Sequence, residues 1–175
     1  MDGGPSYHYN VSQENKQKHQ VHAVTGKYFE QLTVGEKYTH EPAQIMVQED
    51  NVRFCEMTRN TQPLHLDEKF AANTVYGQVI VNSLYTLSLL IGASVAETTE
   101  GTTLGNLGFE STEFPNPVFN GDTLVFTTEV LAKRESRSKP DRGIVQFRHV
   151  AINQRDEVVC ECVRKAMMLK QSNTN

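Results

Sequence analysis

One segment near the middle of the chain is apolar or small on nearly every helical face, and it restricts the fold more than any other feature. It covers residues 80–95, and a helix without a polar face has to be buried. Its β-branched beginning, Val79-Ile80-Val81, would also suit a strand, but the length of the segment favours a helix. The rest of the chain must therefore surround this helix.

Beyond Gly101 the hydrophobic period changes from helical to alternating. Alternation predicts strands at residues 124–131, 144–151 and 158–168, with a fourth at 103–114. Turn residues at 120–122, 139–143 and 153–156 separate these four strands. Upstream, the pattern predicts a strand at 37–47, a helix at 49–58 and a helical turn at 67–72. The apolar stripe of the 49–58 helix is Val52, Cys55 and Met57.

The predicted fold class is α+β, with one antiparallel sheet wrapped around the central buried helix. Four strands follow that helix in antiparallel succession, and a curling sheet covers it on most sides. This is the hot-dog arrangement. Because the sheet edge and part of the helix stay open, we expect a homodimer or higher homo-oligomer.

Length and composition limit the classes of function. The 175 residues suit one domain, which we place at residues 26–171, after a polar, flexible arm at 1–25 and before a short tail at 172–175. The net charge of −4 argues against a general nucleic-acid binder. No stretch reaches the roughly 18 apolar residues of a membrane span, and no secretory signal begins the chain. An odd number of cysteines, three, favours reduced thiols and a cytoplasmic location.

The loop at residues 58–67 carries the most informative polar side chains. Pro63 fixes its own backbone and restrains Gln62, so the loop is rigid enough to aim His65 into a pocket. Asn60, Gln62 and His65 lie within six positions, just before the buried helix.

This loop resembles the hydratase motif of MaoC-like proteins and (R)-specific enoyl-CoA hydratases, roughly G-D-x-N-P-L-H-x-D-x-x-F-A. Two later segments are also similar to that family: residues 76–85 to F-x-x-P-I-V-H-G-M-L, and residues 114–124 to F-x-x-P-V-F-x-G-D-x-L. The resemblance covers about residues 28–170. The residues that match the first motif are Pro63, Leu64, His65, Asp67, Phe70 and Ala71.

The resemblance implies a hydro-lyase that adds water to, or removes it from, an acyl-CoA thioester. In that family a carboxylate and a histidine hold the water, and a backbone N–H at the start of the helix binds the thioester oxygen, where a helix N-terminus stabilises negative charge. By position, His65 is the histidine, the backbone N–H of Ser83 is the oxyanion donor, and Gln62 replaces the family asparagine. The acyl-CoA is the substrate, and neither a metal nor a further cofactor is implied.

The family's catalytic aspartate is replaced by Asn60, and an amide is no general base. Three interpretations stay open. His65 acts as the only base while Asn60 orients water, which we favour because a substrate with its own carboxylate could assist; a carboxylate from elsewhere enters the site, with Glu56, Glu110 and Asp67 as candidates; or the protein binds acyl-CoA without efficient hydration. Similar segments in MaoC-like proteins of branched C5 dicarboxyl-CoA metabolism suggest a mesaconyl- or itaconyl-CoA-like substrate. A hot-dog thioesterase is a further alternative.

Other polar residues have two interpretations each. Asp67 suits a helix cap better than a catalyst, and Asn82 either lines the substrate pocket or caps the helix. Arg134 and Arg137 lie in a basic hairpin that either meets the phosphates of coenzyme A or is simply solvated. His149, on a strand face with apolar neighbours, is interpreted as a core or interface histidine. The remaining histidines form no metal-like group with cysteines or carboxylates: His8, His19, His22 and His40.

Overall fold

The computed structural model describes residues 26–171, so the predicted arm and tail lie outside the described residues. Two short 3-10 turns occupy Phe29–Gln31 and Pro63–His65. The longer elements are β1 (Lys37–Ile45), α1 (Gln48–Met57), α2 (Glu68–Ala72), α3 (Ser83–Thr98), β2 (Thr103–Glu113), β3 (Thr123–Glu135), β4 (Arg142–Asn153) and β5 (Val158–Leu169).

The strands form one five-stranded antiparallel sheet in the order β1-β3-β4-β5-β2. The predicted single sheet is confirmed, but the simple succession of the last four strands is wrong for β2. It pairs with β5 at the far edge, because β1 already occupies the free side of β3. α3 packs against one face of the sheet, where it contacts β1, β3, β4 and β5.

The predicted central helix begins three residues later than the hydrophobic run suggested. Val81 N–H donates to Val118 (2.8 Å) and Ile80 forms an antiparallel bridge with Phe119, so this β-branched stretch is extended. Asn82 then caps α3 by accepting from Leu84 N–H at 2.9 Å. The sequence of this stretch suits either a strand or a helix, and its pairing with residues 118 and 119 selects the extended conformation.

One face of α3 is buried and the opposite face is exposed within a single chain. The buried stripe is Thr86, Leu90, Ser94 and Thr98. Leu84, Ser88 and Gly92 form the exposed stripe. This agrees with the expectation that part of the helix surface stays open within one chain. α1 departs from its predicted stripe, since its buried residues are Asn51 and Cys55 while Met57 is 77% exposed.

The inner face of the sheet carries two apolar clusters separated by a row of polar side chains. On β3, Thr128 lies between Phe126 and Val130, and the neighbouring strands repeat this order around a polar residue. We call His40, Thr128, His149 and Arg164 the polar row; all four are buried.

The polar row is joined by hydrogen bonds. Arg164 Nε donates to His149 Nε2 (2.9 Å), so His149 Nδ1 carries the proton and donates to Thr128 Oγ1 (2.8 Å). Thr128 in turn contacts His40 Nε2 at 2.7 Å, and His40 Nδ1 meets Glu97 at the surface. Burial and the nearby Arg164 and His40 lower the pKa of His149 to about 3, so its ring stays neutral.

Two of the cysteines are buried in the sheet. Cys160 and Cys162 share the inner face of β5, where burial raises the pKa of their thiols to about 12 and about 11, which suits packing rather than reactivity. Of the helices in residues 26–171, none has both the length and the apolar character needed to cross a bilayer.

Candidate active site

His65 presents one ring nitrogen to the protein and leaves the other open. Its ring is half-buried, and Nδ1 lies 2.9 Å from the carbonyl oxygen of Ile80. Because a carbonyl only accepts, the neutral ring carries its proton on Nδ1 and its lone pair on Nε2. Within residues 26–171, Nε2 has no hydrogen-bond partner. The geometry therefore supplies a histidine base held in one tautomer.

The loop before His65 is held by its own backbone and by Asn60. Asn60 Oδ1 accepts from Gln62 N–H at 3.0 Å, the Asx turn expected of a loop asparagine, and Asn60 N–H donates to Cys55 (2.8 Å). Pro63 then begins the 3-10 turn in which His65 N–H donates to Gln62 at 3.1 Å. The Nδ2 group of Asn60 has no partner in the described part of the chain, so it remains able to donate to a water or a ligand.

The N-terminus of α3 offers one unused backbone donor. The N–H groups on both sides are occupied: Asn82 N–H donates to Asn51 Oδ1 (2.8 Å) and Leu84 N–H donates to Asn82 Oδ1 (2.9 Å). Ser83 is the first residue of α3, and its N–H meets no acceptor among the described residues. Such a donor, aided by the helix dipole, suits a developing oxyanion.

Asn51 connects these two groups, and sequence reasoning missed it. Its side chain is fully buried; Nδ2 donates to the His65 carbonyl (3.1 Å) while Oδ1 accepts from Asn82 N–H (2.8 Å). Ile80 N–H also donates to the Leu64 carbonyl at 3.3 Å. A signal existed, since Asn51 lies four residues before buried Cys55 and therefore on the buried face of α1, where an amide must find partners.

The side chain of Asn82, a candidate substrate contact, is already bonded within the protein. It is 3% exposed; its Oδ1 caps α3 and its Nδ2 lies 3.7 Å from Cys55 Sγ. Of the two interpretations left open, capping fits these contacts. Gln62 differs, because its side chain is exposed beside the loop.

Arg134 and Arg137 are not brought to His65 within one chain. His65 is tied through Ile80 to Phe119, just before β3 begins, whereas Arg134 lies eleven residues further along that strand, roughly 35 Å of extended chain. Arg134 lines a surface hollow of about 300 Å³. Arg137 is exposed in the following hairpin, and the neighbouring Lys133 is engaged with the carbonyls of residues 29, 30 and 32.

The carboxylates considered as substitutes for Asn60 are differently placed. Asp67 caps α2 by accepting from the N–H groups of Lys69 (2.9 Å) and Phe70 (3.0 Å), as predicted. Glu110, on the edge strand β2, pairs with Lys165, and that bond lowers the pKa of the Glu110 carboxyl. Glu56 is exposed on α1. In the described residues, no three His, Cys, Asp or Glu side chains are grouped as a metal ion requires.

A hollow of about 480 Å³ lies beside the loop. Its lining includes Gln48, whose Nε2 reaches the His65 carbonyl at 3.4 Å, and Val79, which precedes the Ile80 anchor. The hollow has the size that small-molecule sites occupy, but its lining does not include His65, Asn60 or Ser83.

The turn before β3 supports this whole region. Asp122, 3% exposed, accepts from Phe119 N–H at 2.9 Å and from Arg155 at 2.8 Å. Although burial opposes it, bonds from Arg155, Gln154 and Phe119 hold the pKa of the Asp122 carboxyl below its usual value. Gly121 provides the left-handed turn, with φ +85°. The turn therefore holds Phe119 in place, and Phe119 forms the antiparallel bridge with Ile80.

The sequence model of the family described as "MaoC like domain" matches residues 29–155. Two curated relatives are each 26% identical over 146 residues: a β-methylmalyl-CoA dehydratase from Chloroflexus aurantiacus and a mesaconyl-CoA hydratase from Cereibacter sphaeroides. Both alignments cover 83% of this chain but only 41% and 42% of the relatives. The chain therefore spans about two fifths of their length.

A structure comparison identifies the fold. A Mycobacterium tuberculosis protein described as having a double hotdog fold aligns with a TM-score of 0.79 and 24% identity. The alignment covers 87% of this chain and 47% of that chain. The predicted α+β hot-dog fold is thereby confirmed.

Proposed function

The chain belongs to the MaoC-like domain family, and we propose that it is a hydro-lyase that adds water to, or removes it from, a 2-enoyl thioester of coenzyme A. The observation that carries this proposal is a pair of unused groups that Asn51 joins through its bonds to the His65 carbonyl and Asn82 N–H. Among residues 26–171, neither His65 Nε2 nor the backbone N–H of Ser83, at the N-terminus of α3, has a partner.

The reaction follows from what these groups can do. His65 Nε2 takes a proton from a water whose oxygen bonds to the β-carbon, and the electrons of the double bond move towards the thioester oxygen. The Ser83 N–H stabilises the enolate oxygen that forms. Protonated His65 then returns the proton to the α-carbon, so one residue serves as base and acid in turn.

We propose a short acyl group that carries its own carboxylate, similar to mesaconyl- or itaconyl-CoA. Asn60 supports this, because a neutral amide avoids the like-charge repulsion that an aspartate would impose on a substrate carboxylate. Its free Nδ2 can donate to that carboxylate or to water, and the exposed Gln62 lies beside it. The two curated relatives carry names of the same compound class.

We also propose a homodimer. The exposed stripe of α3 and the free edge of β2 leave apolar surface uncovered within one chain, and such surface marks interfaces. In a dimer, Arg134 and Arg137 would serve the coenzyme A phosphates at the site of the second copy. Light scattering on the purified protein tests the assembly. The exposed apolar side chains of these surfaces are Leu84, Val95, Leu104, Leu107 and Phe109.

The test is loss of the enoyl-thioester absorbance with crotonyl-, mesaconyl- and itaconyl-CoA in parallel. The matched control is His65→Asn, whose amide can take over the bond from Nδ1 to Ile80 while removing Nε2. We expect turnover of at least one substrate by the native protein and a loss of about 100- to 10,000-fold in the variant. Unchanged turnover in His65→Asn would exclude His65 as the base.

Asn60 favours a second candidate, an acyl-CoA binder without turnover. Its amide leaves no carboxylate at the family position, and its Oδ1 already accepts a bond from Gln62 N–H. Tight binding of mesaconyl-CoA by calorimetry, with no substrate consumed, would support the binder and overturn the hydro-lyase. Gain of turnover in Asn60→Asp would then locate the missing base.

A further inference from the structure

Asn51 touches both halves of the proposed site, although it lies on a different helix from either. Its Nδ2 donates to the His65 carbonyl at 3.1 Å, and its Oδ1 accepts from Asn82 N–H at 2.8 Å. Asn82 directly precedes Ser83. One rigid side chain therefore fixes the distance from the histidine backbone to the start of α3.

Three properties separate this contact from ordinary packing. The Asn51 side chain is 0% exposed, so water cannot replace either bond, and loss of a bond leaves a buried backbone group without a partner. Both bonds run to backbone groups of other elements rather than within α1. Gln48 also reaches the His65 carbonyl, but at 3.4 Å and without a bond to α3.

We propose that Asn51 is a positioning residue that sets His65 and the Ser83 N–H in register for catalysis. This inference rests on the proposed hydro-lyase function. Asn51 acts through the two backbone groups that it binds and not by touching substrate. Its effect is on orientation, and misplacement of a reacting group by about 1 Å can cost on the order of 100-fold in rate.

The first experiment compares kcat and KM for two variants on whichever thioester the native protein turns over. Asn51→Leu keeps the branched shape of the side chain and removes both bonds; we expect kcat to fall about 10- to 100-fold while KM changes less than about threefold. Val130→Ala, in the apolar cluster beyond the polar row, matches the loss of stability and should leave kcat unchanged.

Asn51→Asp gives a readout that a purely structural role would not move. Its acceptor for Asn82 N–H remains, but an ionised carboxylate faces the His65 carbonyl. When protonated, the acid has an O–H that can donate to that carbonyl as the amide does. We expect the kcat of Asn51→Asp, relative to the native protein, to rise as pH falls. A constant ratio, or an Asn51→Leu kcat no lower than that of Val130→Ala, would overturn the proposal.

A second measurement decides the question even if no thioester is consumed. The ¹⁵N chemical shifts of the His65 ring report which nitrogen carries the proton in the unliganded protein. We expect a fixed Nδ1–H form in the native protein and a mixture of tautomers in Asn51→Leu. An unchanged tautomer in that variant overturns the role of Asn51, whereas a changed tautomer without turnover by the native protein overturns the hydro-lyase and retains the positioning.

Discussion

Two regions of this molecule arrange histidines in opposite ways. At the loop, His65 uses Nδ1 to hold its tautomer, and no described residue bonds to its Nε2. In the polar row, His149 has both ring nitrogens bonded and no exposure. The same side chain is therefore an available base in one place and a fixed neutral connector in the other.

The cost of unsatisfied polar groups explains the difference. A buried histidine without partners would destabilise the fold by the desolvation of its nitrogens, so the polar row fills them. The half-buried loop leaves groups unpaired at less cost, because solvent or a ligand can reach them. A donor or acceptor without a partner is therefore available to a ligand, whereas one with a partner contributes to the stability of the fold.

The largest effect should come from breaking the polar row. His149→Leu removes the acceptor of buried Arg164, which lacks an ion-pair partner in the part of the chain that is described. We expect a loss of about 3–5 kcal/mol in the free energy of unfolding, measured by urea denaturation. The Arg164→Met single variant should also be destabilised, because it leaves the buried Nε2 of His149 without its donor.

The double variant His149→Leu/Arg164→Met sharpens this prediction. Replacing both polar partners by apolar side chains should recover much of the stability. Additive single effects would show that the two residues do not act as a unit. Turnover per folded molecule should stay at the native level in the double variant, since neither residue belongs to the loop.

The next largest effect concerns the start of α3, where a proline replaces Ser83, the first residue of the helix. Ser83→Pro removes the unused N–H, and proline is well tolerated at this helical position. Asn82, with φ −61° and ψ 126°, already has the extended backbone required before proline. We expect kcat to fall about 100- to 1000-fold with little change in thermal stability.

Ser83→Ala is the matched control, because it keeps the N–H and removes only the hydroxyl. Its kcat should stay within about threefold of the native value. If the alanine and proline variants were equally active, the backbone N–H would have no part in stabilising the enolate.

The contrast between the histidines also predicts a pH effect. The pKa of His149 is lowered from 6.5 to about 3 in the folded protein, so below pH 6.5 the unfolded chain takes up a proton that the folded chain does not. The stability linked to this group is fully present above pH 6.5 and is lost as pH falls from 6.5 towards 3. Between pH 6.5 and 5 this amounts to about 2 kcal/mol.

Urea denaturation at pH 7, 6 and 5 measures this loss before most carboxylates titrate. The His149→Leu/Arg164→Met variant lacks the group, so its stability should fall less over the same range. Parallel pH dependences of the two proteins would assign the acid sensitivity to other residues.

Local sequence predicted the strands and the loop well for a physical reason. Alternation of apolar side chains is written into each strand, so β3, β4 and β5 were found within a few residues of their observed ends. The Pro63-Leu64-His65 segment fixes its own backbone and was recognisable in the same way.

The remainder depends on partners that are distant along the chain. The start of α3 was misplaced because Phe119 holds Ile80 in an extended conformation. Asn51 and Arg164 were missed because their importance lies in bonds to residues 14 or more positions away. No periodicity records such bonds; what the sequence shows is only a polar residue on a buried face.

The smallest predicted effect lies in the backbone of the loop. Arg59 has φ +57°, a left-handed conformation that disfavours side chains by about 1–2 kcal/mol relative to glycine, and the motif that this loop resembles has glycine there. Arg59→Gly should therefore raise the free energy of unfolding by about 0.5–1 kcal/mol, measured by urea denaturation.

Arg59→Asn, which tolerates this conformation better than other residues with side chains, should give a smaller gain, whereas Arg59→Val should lose stability. A destabilised glycine variant would mean that the Arg59 side chain makes up for the strain. A stabilised one would show that the loop carries backbone strain, unlike the polar row, whose four residues have no left-handed backbone.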